Sequence, residues 1–182
     1  AQNTFADSAS ITVPSSVSIS VDTNLQARTE VSKTIDMSVN TDSPTGYKLF
    51  LSSDSAETSL VSTNGNPFKI NSTSGTNNDL ATQMNNQYGY NTETIDNKLY
   101  SYIPNLSNPV KIRSSFTQLT TADNFKFNLG FALRNNIPAD TYQRKLIFTL
   151  ISEGEATSTL VKGPELNKAL KKALGIADQS YF

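Results

Sequence analysis

The chain has 182 residues with 15 basic and 16 acidic side chains, a net charge of −1, and neither Cys, His nor Trp. This inventory excludes a zinc site of the usual kind, a Ser-His or Cys-His nucleophile and thiol redox chemistry. It also gives no bulk electrostatic pull on nucleic acid, and no apolar run nears the roughly 20 residues of a membrane span. Ser, Thr and Asn supply 63 residues and only 17% of the chain is charged, while 9 Phe and 7 Tyr fall in regular patterns. Disordered chains are charge-rich and aromatic-poor, so the composition points to strands and turns.

Residues 1–10 read as a flexible, small and polar N-terminal arm with no signal-peptide pattern, as expected of a mature chain that begins just behind a removed signal. From Ile11 the chain turns to period two. Val17, Ile19 and Val21 alternate with Ser18 and Ser20, which predicts a half-buried strand. Val31 to Val39 repeats the alternation with one face apolar except for Lys33. The turn-rich stretch Asn40 to Gly46 leads to a third strand on Tyr47, Leu49 and Leu51.

Residues 52–98 are polar. They predict long loops around a short strand at Phe68 to Ile70, with an Asn- and Gln-rich run leading into Tyr88-Gly89-Tyr90. Leu99 to Ile103 and Val110 to Ile112 predict short strands bounded by Pro104 and Pro109. Phe125, Phe127, Leu129, Phe131 and Leu133 alternate without a break. With the turn at Asn135 to Asp140 and the strand Tyr142 to Ile151, they predict a hairpin.

Seven or eight short strands with turn signals between them give an all-β chain, an antiparallel β-sandwich of Ig-like or jelly-roll-like kind over residues 11–152. Residues 153–182 read as a linker and a short amphipathic helix. Gly163-Pro164-Glu165 opens it, Leu166, Ala169, Leu170, Ala173 and Leu174 keep helical spacing, and Gly175 ends it.

Four segments carry a resemblance. Ile19 to Asp22, Ser43 to Leu49, Tyr88 to Asn91, and Leu129 to Ala132 with Ile137 to Tyr142 resemble β-sandwich modules of Gram-positive-type bacterial cell-surface proteins. The tail from Gly163 is similar to the linkers of BspA-type surface proteins. The overall form also resembles TasA- and camelysin-like fibre subunits, without a shared motif. Asp140 stands where such modules often have Gly, and Tyr88 where an aromatic is often Trp. The resemblance implies an extracellular, secreted or wall-displayed module whose usual role is adhesion.

Several residues invite a functional reading. Tyr88, Tyr90, Tyr100 and Tyr102 near Asn86 offer rings for stacking and amides for hydroxyl groups, as a surface glycan or protein ligand needs, or they close one end of the sandwich. Lys33 is a candidate for an intramolecular isopeptide cross-link if desolvated beside a carboxyl or amide, and otherwise snorkels to water. Ala9, Ile11 and Val13 are candidates for a strand donated to a neighbouring copy.

The sequons at Asn71 and Asn105 carry no weight in an Asn-rich chain. Asp22, Asp36, Asp42 and Asp54 lack the spacing of a calcium loop. No catalytic residue, metal or cofactor is expected. The favoured role is a non-catalytic surface module that binds host or neighbouring-cell glycan or protein through its loops. The alternative is a subunit of an extracellular fibre or pilus, with copies of itself as partners.

Overall fold

The structure, a computed structural model, describes residues 8–20, 29–83, 85–92, 98–134 and 137–152. The expected linker and C-terminal helix, residues 153–182, and the first seven residues of the arm lie outside them. The described residues hold β1 (Ala9–Thr12), β2 (Thr29–Thr41), β3 (Tyr47–Ser53), β4 (Leu60–Ser62), β5 (Lys69–Ser72) and β6 (Asn78–Asp79). After these come β7 (Gln87–Asn91), β8 (Leu99–Tyr100), β9 (Val110–Ser115), β10 (Asp123–Leu133), β11 (Tyr142–Gln143) and β12 (Leu146–Ser152).

Seven strands form one sheet in the order β1-β2-β10-β7-β5-β4-β11, and three form a second in the order β12-β3-β9. The two sheets pack face to face as an antiparallel sandwich. One pair departs from the rule, β5 lying parallel to β7. The long partners β2 and β10 run in unbroken register from Asp123 opposite Val39 to Leu133 opposite Thr29. One face of that pair carries Met37, Val39, Phe125, Phe127 and Leu129 into the core, where they meet Tyr47, Leu49, Leu51 and Leu150 of the smaller sheet.

The other face of β10 is also covered. A second cluster of Leu80, Tyr100 and Ala132 lies there, and Gly130 is glycine for a steric reason. A Cβ on it would stand 2.3 Å from the Tyr100 ring. The turn into β3 closes with Gly46 N–H donating to the Ser43 carbonyl at 3.2 Å. Gly46 has φ 85° and no room for a Cβ against the Ser115 carbonyl, so only glycine fits there.

The structure corrects four expectations. Residues 52–98 hold real strands, and β7 sits between β10 and β5 inside the large sheet. Its polar flanks hid it because Asn86 and Asn91, each 7% exposed, are buried with it. Tyr142 to Ile151 is two strands. β11 pairs with β4 and β12 with β3, and Arg144 between them donates to the Ser59 carbonyl at 2.9 Å and to Asp54 at 3.1 Å.

β10 and the strand after it form no hairpin. Phe127 and Phe148 meet edge to face at 5.1 Å, so β10 and β12 confront each other across the core instead of lying side by side. Finally, residues 13–20 belong to no strand, and the strand that precedes them begins at Ala9, inside the expected arm. Pro14, without an N–H, stands two residues beyond the last pair, Thr12 with Ser38, and a proline there removes a ladder bond.

Candidate functional site

Four of the five residues read as a ligand surface lie in the interior. Tyr88 is 2% exposed, Tyr100 6%, Asn86 7% and Tyr90 8%. Tyr88 stacks on Phe131 at 5.8 Å and its hydroxyl donates to the Thr58 carbonyl. Tyr90 stacks on Phe127 at 5.5 Å, and burial pushes its hydroxyl up to about 12. Asn86 accepts the Arg134 backbone N–H at 2.7 Å. These rings are core, and their alternation with Gly89 is what puts them there. Tyr102 alone of the five keeps a partly open face, beside a shallow hollow shared with Thr58 and Gly75.

Lys33 shares a face with Ile35 and Met37, opposite Leu129. It is nevertheless exposed, so the desolvation that makes an amine nucleophilic is missing and the cross-link reading falls. Its exposure has a cause: the three-stranded sheet does not reach that far along the face. Val39 is 0% exposed and Met37 2%, whereas Ile35 and Val31 are half-buried. The smaller sheet shows the same gradient, from Leu150 at 0% to the half-buried Phe148 and Leu146.

The uncovered part of the interior is a groove of about 1130 Å³. Ile35, Leu129 and Phe131 line it from the large sheet, Leu146 and Phe148 from β12, and residues 13–20 border it. Two strand edges flank it. β12 pairs only with β3 among the described residues, and β1 covers β2 only from Ser38 to Thr41. Among the described residues, no strand pairs with Val31 to Met37 on the side away from β10. Exposed edges of this kind accept a further strand.

Arg134, Asp140, Arg144 and Lys145 also line the groove, and two of these have their partners in view. Arg144 is held by Asp54, Ser55 and the Ser59 carbonyl. Asp140 takes hydrogen bonds from Ser62, the Thr141 N–H and Asn64, which hold its carboxyl below the usual range. Ile35, Leu129, Phe131, Leu146 and Phe148 make the floor between these residues apolar.

The strand-donation candidates sit on the neighbouring edge. Ala9 and Ile11 lie in β1, opposite Thr41 and Val39, packed against the core. Val13, 36% exposed, is the first residue past the ladder and borders the groove. Sequence reasoning missed the groove because an uncovered inner face reads the same as a covered one in the alternation. The one available signal was Lys33, a charge on an otherwise apolar face.

No family model and no curated protein matches the chain. Among solved structures, it is similar to a chain of the CsuC-CsuE chaperone–tip adhesion subunit pre-assembly complex from archaic chaperone-usher Csu pili of Acinetobacter baumannii. The identity is 16% and the TM-score 0.36. The match covers 80% of this chain and 39% of that one, so this chain spans about two-fifths of the neighbour's length.

Proposed function

We propose that this protein is a non-catalytic, extracellular module of a bacterial surface, and that it works as a fibre subunit whose sandwich accepts an added strand. The observation that supports this is the groove. An apolar floor lies between the edge of β12 and the Val31–Met37 edge of β2, both without a partner strand among the described residues. A strand entering there buries its apolar side chains on the floor and hydrogen-bonds the edges, while covering a surface that otherwise invites unspecific pairing. Because donor and acceptor sites differ, the contact is heterologous and propagates into a filament.

Adhesion through loops draws less from the geometry, since four of its five residues are buried. The test is light scattering and negative-stain microscopy of the full chain at rising concentration, with amide exchange read before and after assembly. Filaments whose formation slows exchange at Val31–Met37 and in β12 are the expected result. A monomer at every concentration overturns the fibre reading and returns adhesion to first place.

A further inference from the structure

We propose that Asn64 is a self-modifying site: attack by the Gly65 nitrogen converts its amide to an acid, and the new charge releases β11 from β4. The site stands apart from the fibre reading, although Asp140 and β11 border the groove. Of the chain's asparagines, only Asn64 is followed by glycine. Thr63, Asn64 and Gly65 are exposed, in the irregular link between β4 and β5. The attacking atom is free, because the Gly65 N–H has no hydrogen-bond partner among the described residues. A Cβ built on Gly65 meets nothing within 4 Å, so a ring closing there has room. Asn71-Ser72, a comparable step, is instead fixed in β5 between β4 and β7.

The reaction consumes water and releases ammonia. The Gly65 nitrogen forms a bond to the Asn64 side-chain carbonyl carbon. The bond from that carbon to Nδ2 breaks, and Nδ2 leaves as ammonia with the proton from Gly65. Water then opens the five-membered imide at one of its two carbonyls. One opening gives aspartate. The other gives isoaspartate, in which the backbone runs through the former side-chain carbon.

What the amide holds gives the change its effect. Asn64 Nδ2 donates to Asp140 Oδ1 at 2.6 Å, and Asp140 also accepts from the Ser62 hydroxyl and, at 2.7 Å, from the Thr141 N–H. These bonds favour the ionised carboxyl. An anionic oxygen in place of Nδ2 meets a second carboxylate with no proton between them, and the two must part. Little else keeps β11 in place. Its two residues pair with Ser62 and Val61, the Thr63 N–H reaches the Thr141 carbonyl at 2.9 Å, and Tyr142 meets Phe68 edge to face at 5.9 Å. Loss of the Asp140 anchor therefore frees one wall of the groove.

The test ages the full chain at mildly alkaline pH and maps its peptides by mass spectrometry, with fragmentation that separates aspartate from isoaspartate. Amide exchange is read on fresh and aged parent, on Asn64→Asp, and on Asn64→Gln, whose longer amide resists this ring closure. Acid should accumulate at residue 64 ahead of every other asparagine. Thr63 and β11 should then exchange roughly tenfold faster in the aged parent and in Asn64→Asp, as loss of a charge-assisted hydrogen bond implies. β10 should not change, and aged Asn64→Gln should match its fresh state. An Asn64 outpaced by any other asparagine overturns the site. Acid at residue 64 with unchanged exchange in β11, in either the aged parent or Asn64→Asp, overturns the release. Neither result bears on whether filaments form.

Discussion

The two ends of the sandwich are built from the same strands and finished differently. At one end β2 presents Met37 and Val39, β12 presents Leu150, and β1 lies across the edge, so these three side chains are covered. A cross-sheet lock reinforces it. Arg113 of β9 grips Asp123 of β10 with Nε at 2.8 Å and a terminal nitrogen at 2.5 Å, lies over Phe125 at 4.6 Å, and the Tyr47 hydroxyl of β3 donates to the same carboxylate. At the other end β2 presents Val31, Lys33 and Ile35, β12 presents Leu146 and Phe148, and a groove replaces the lock. The closed end holds the monomer together. The open end leaves binding energy for something else.

The sharpest way to break that contrast is one substitution made twice in one strand. Leu150→Ala removes a side chain with 0% exposure and should cost about 2–5 kcal/mol of stability through lost burial and a cavity. Leu146→Ala, four residues away at the half-buried end, should cost about 1 kcal/mol or less, because little is desolvated there. Urea unfolding of both variants checks it. Equal losses would mean that the open end is as tightly packed as the closed one.

Gly130→Ala tests the back of the large sheet, where neither end's character applies. The new methyl stands 2.3–2.8 Å from three Tyr100 ring carbons, and overpacking of this kind should cost about 1–3 kcal/mol. Adding Tyr100→Ala should recover part of that loss, a coupling that a double-mutant cycle measures directly.

How far the sequence carried the reading follows from what each residue's neighbours had to be. The alternation of Phe125 to Leu133 and of Val31 to Val39 was legible because period two is a local property. Which strands pair is not local, and the predicted hairpin failed for that reason: β10 and β12 face one another through Phe127 and Phe148. Tyr88 and Tyr90 looked like ligand residues because the Asn and Gln beside them suggested a loop, yet Asn91 and Asn128 bond each other at 2.9 Å inside the structure. The groove was least legible, since coverage of one sheet by another leaves no trace in either strand's pattern.

The lock at the closed end should respond to pH and substitution together. Its Arg113 hydrogen bonds hold the Asp123 carboxyl below the ordinary carboxylate range. A folded value below the unfolded one means that the contribution is complete above pH about 4 and is lost as pH falls through the folded value. Asp123→Asn should therefore cost about 1–2 kcal/mol at neutral pH, reduced from a buried charged pair by residual exposure. The variant's stability should also fall less steeply than the parent's below pH 4 in acid titrations of urea midpoints. Burial and the same carboxylate raise the Tyr47 hydroxyl far above its usual range, so it stays protonated, and donating, at every pH of interest.

The smallest effect concerns the latch that holds β1 at the closed end. The Ser8 N–H and hydroxyl donate to Asp42 at 2.5 and 2.9 Å, and the Asp42 N–H and Thr41 hydroxyl return bonds to the Ser8 carbonyl. The Ser8 bonds lower the Asp42 carboxyl below its ordinary value, so its hold on β1 is complete above the unfolded value and weakens as pH falls through the folded one. Asp42 is exposed, so global stability should barely change on Asp42→Asn. The change should instead be local, with faster amide exchange at Ser8 to Thr12 and no change in β10.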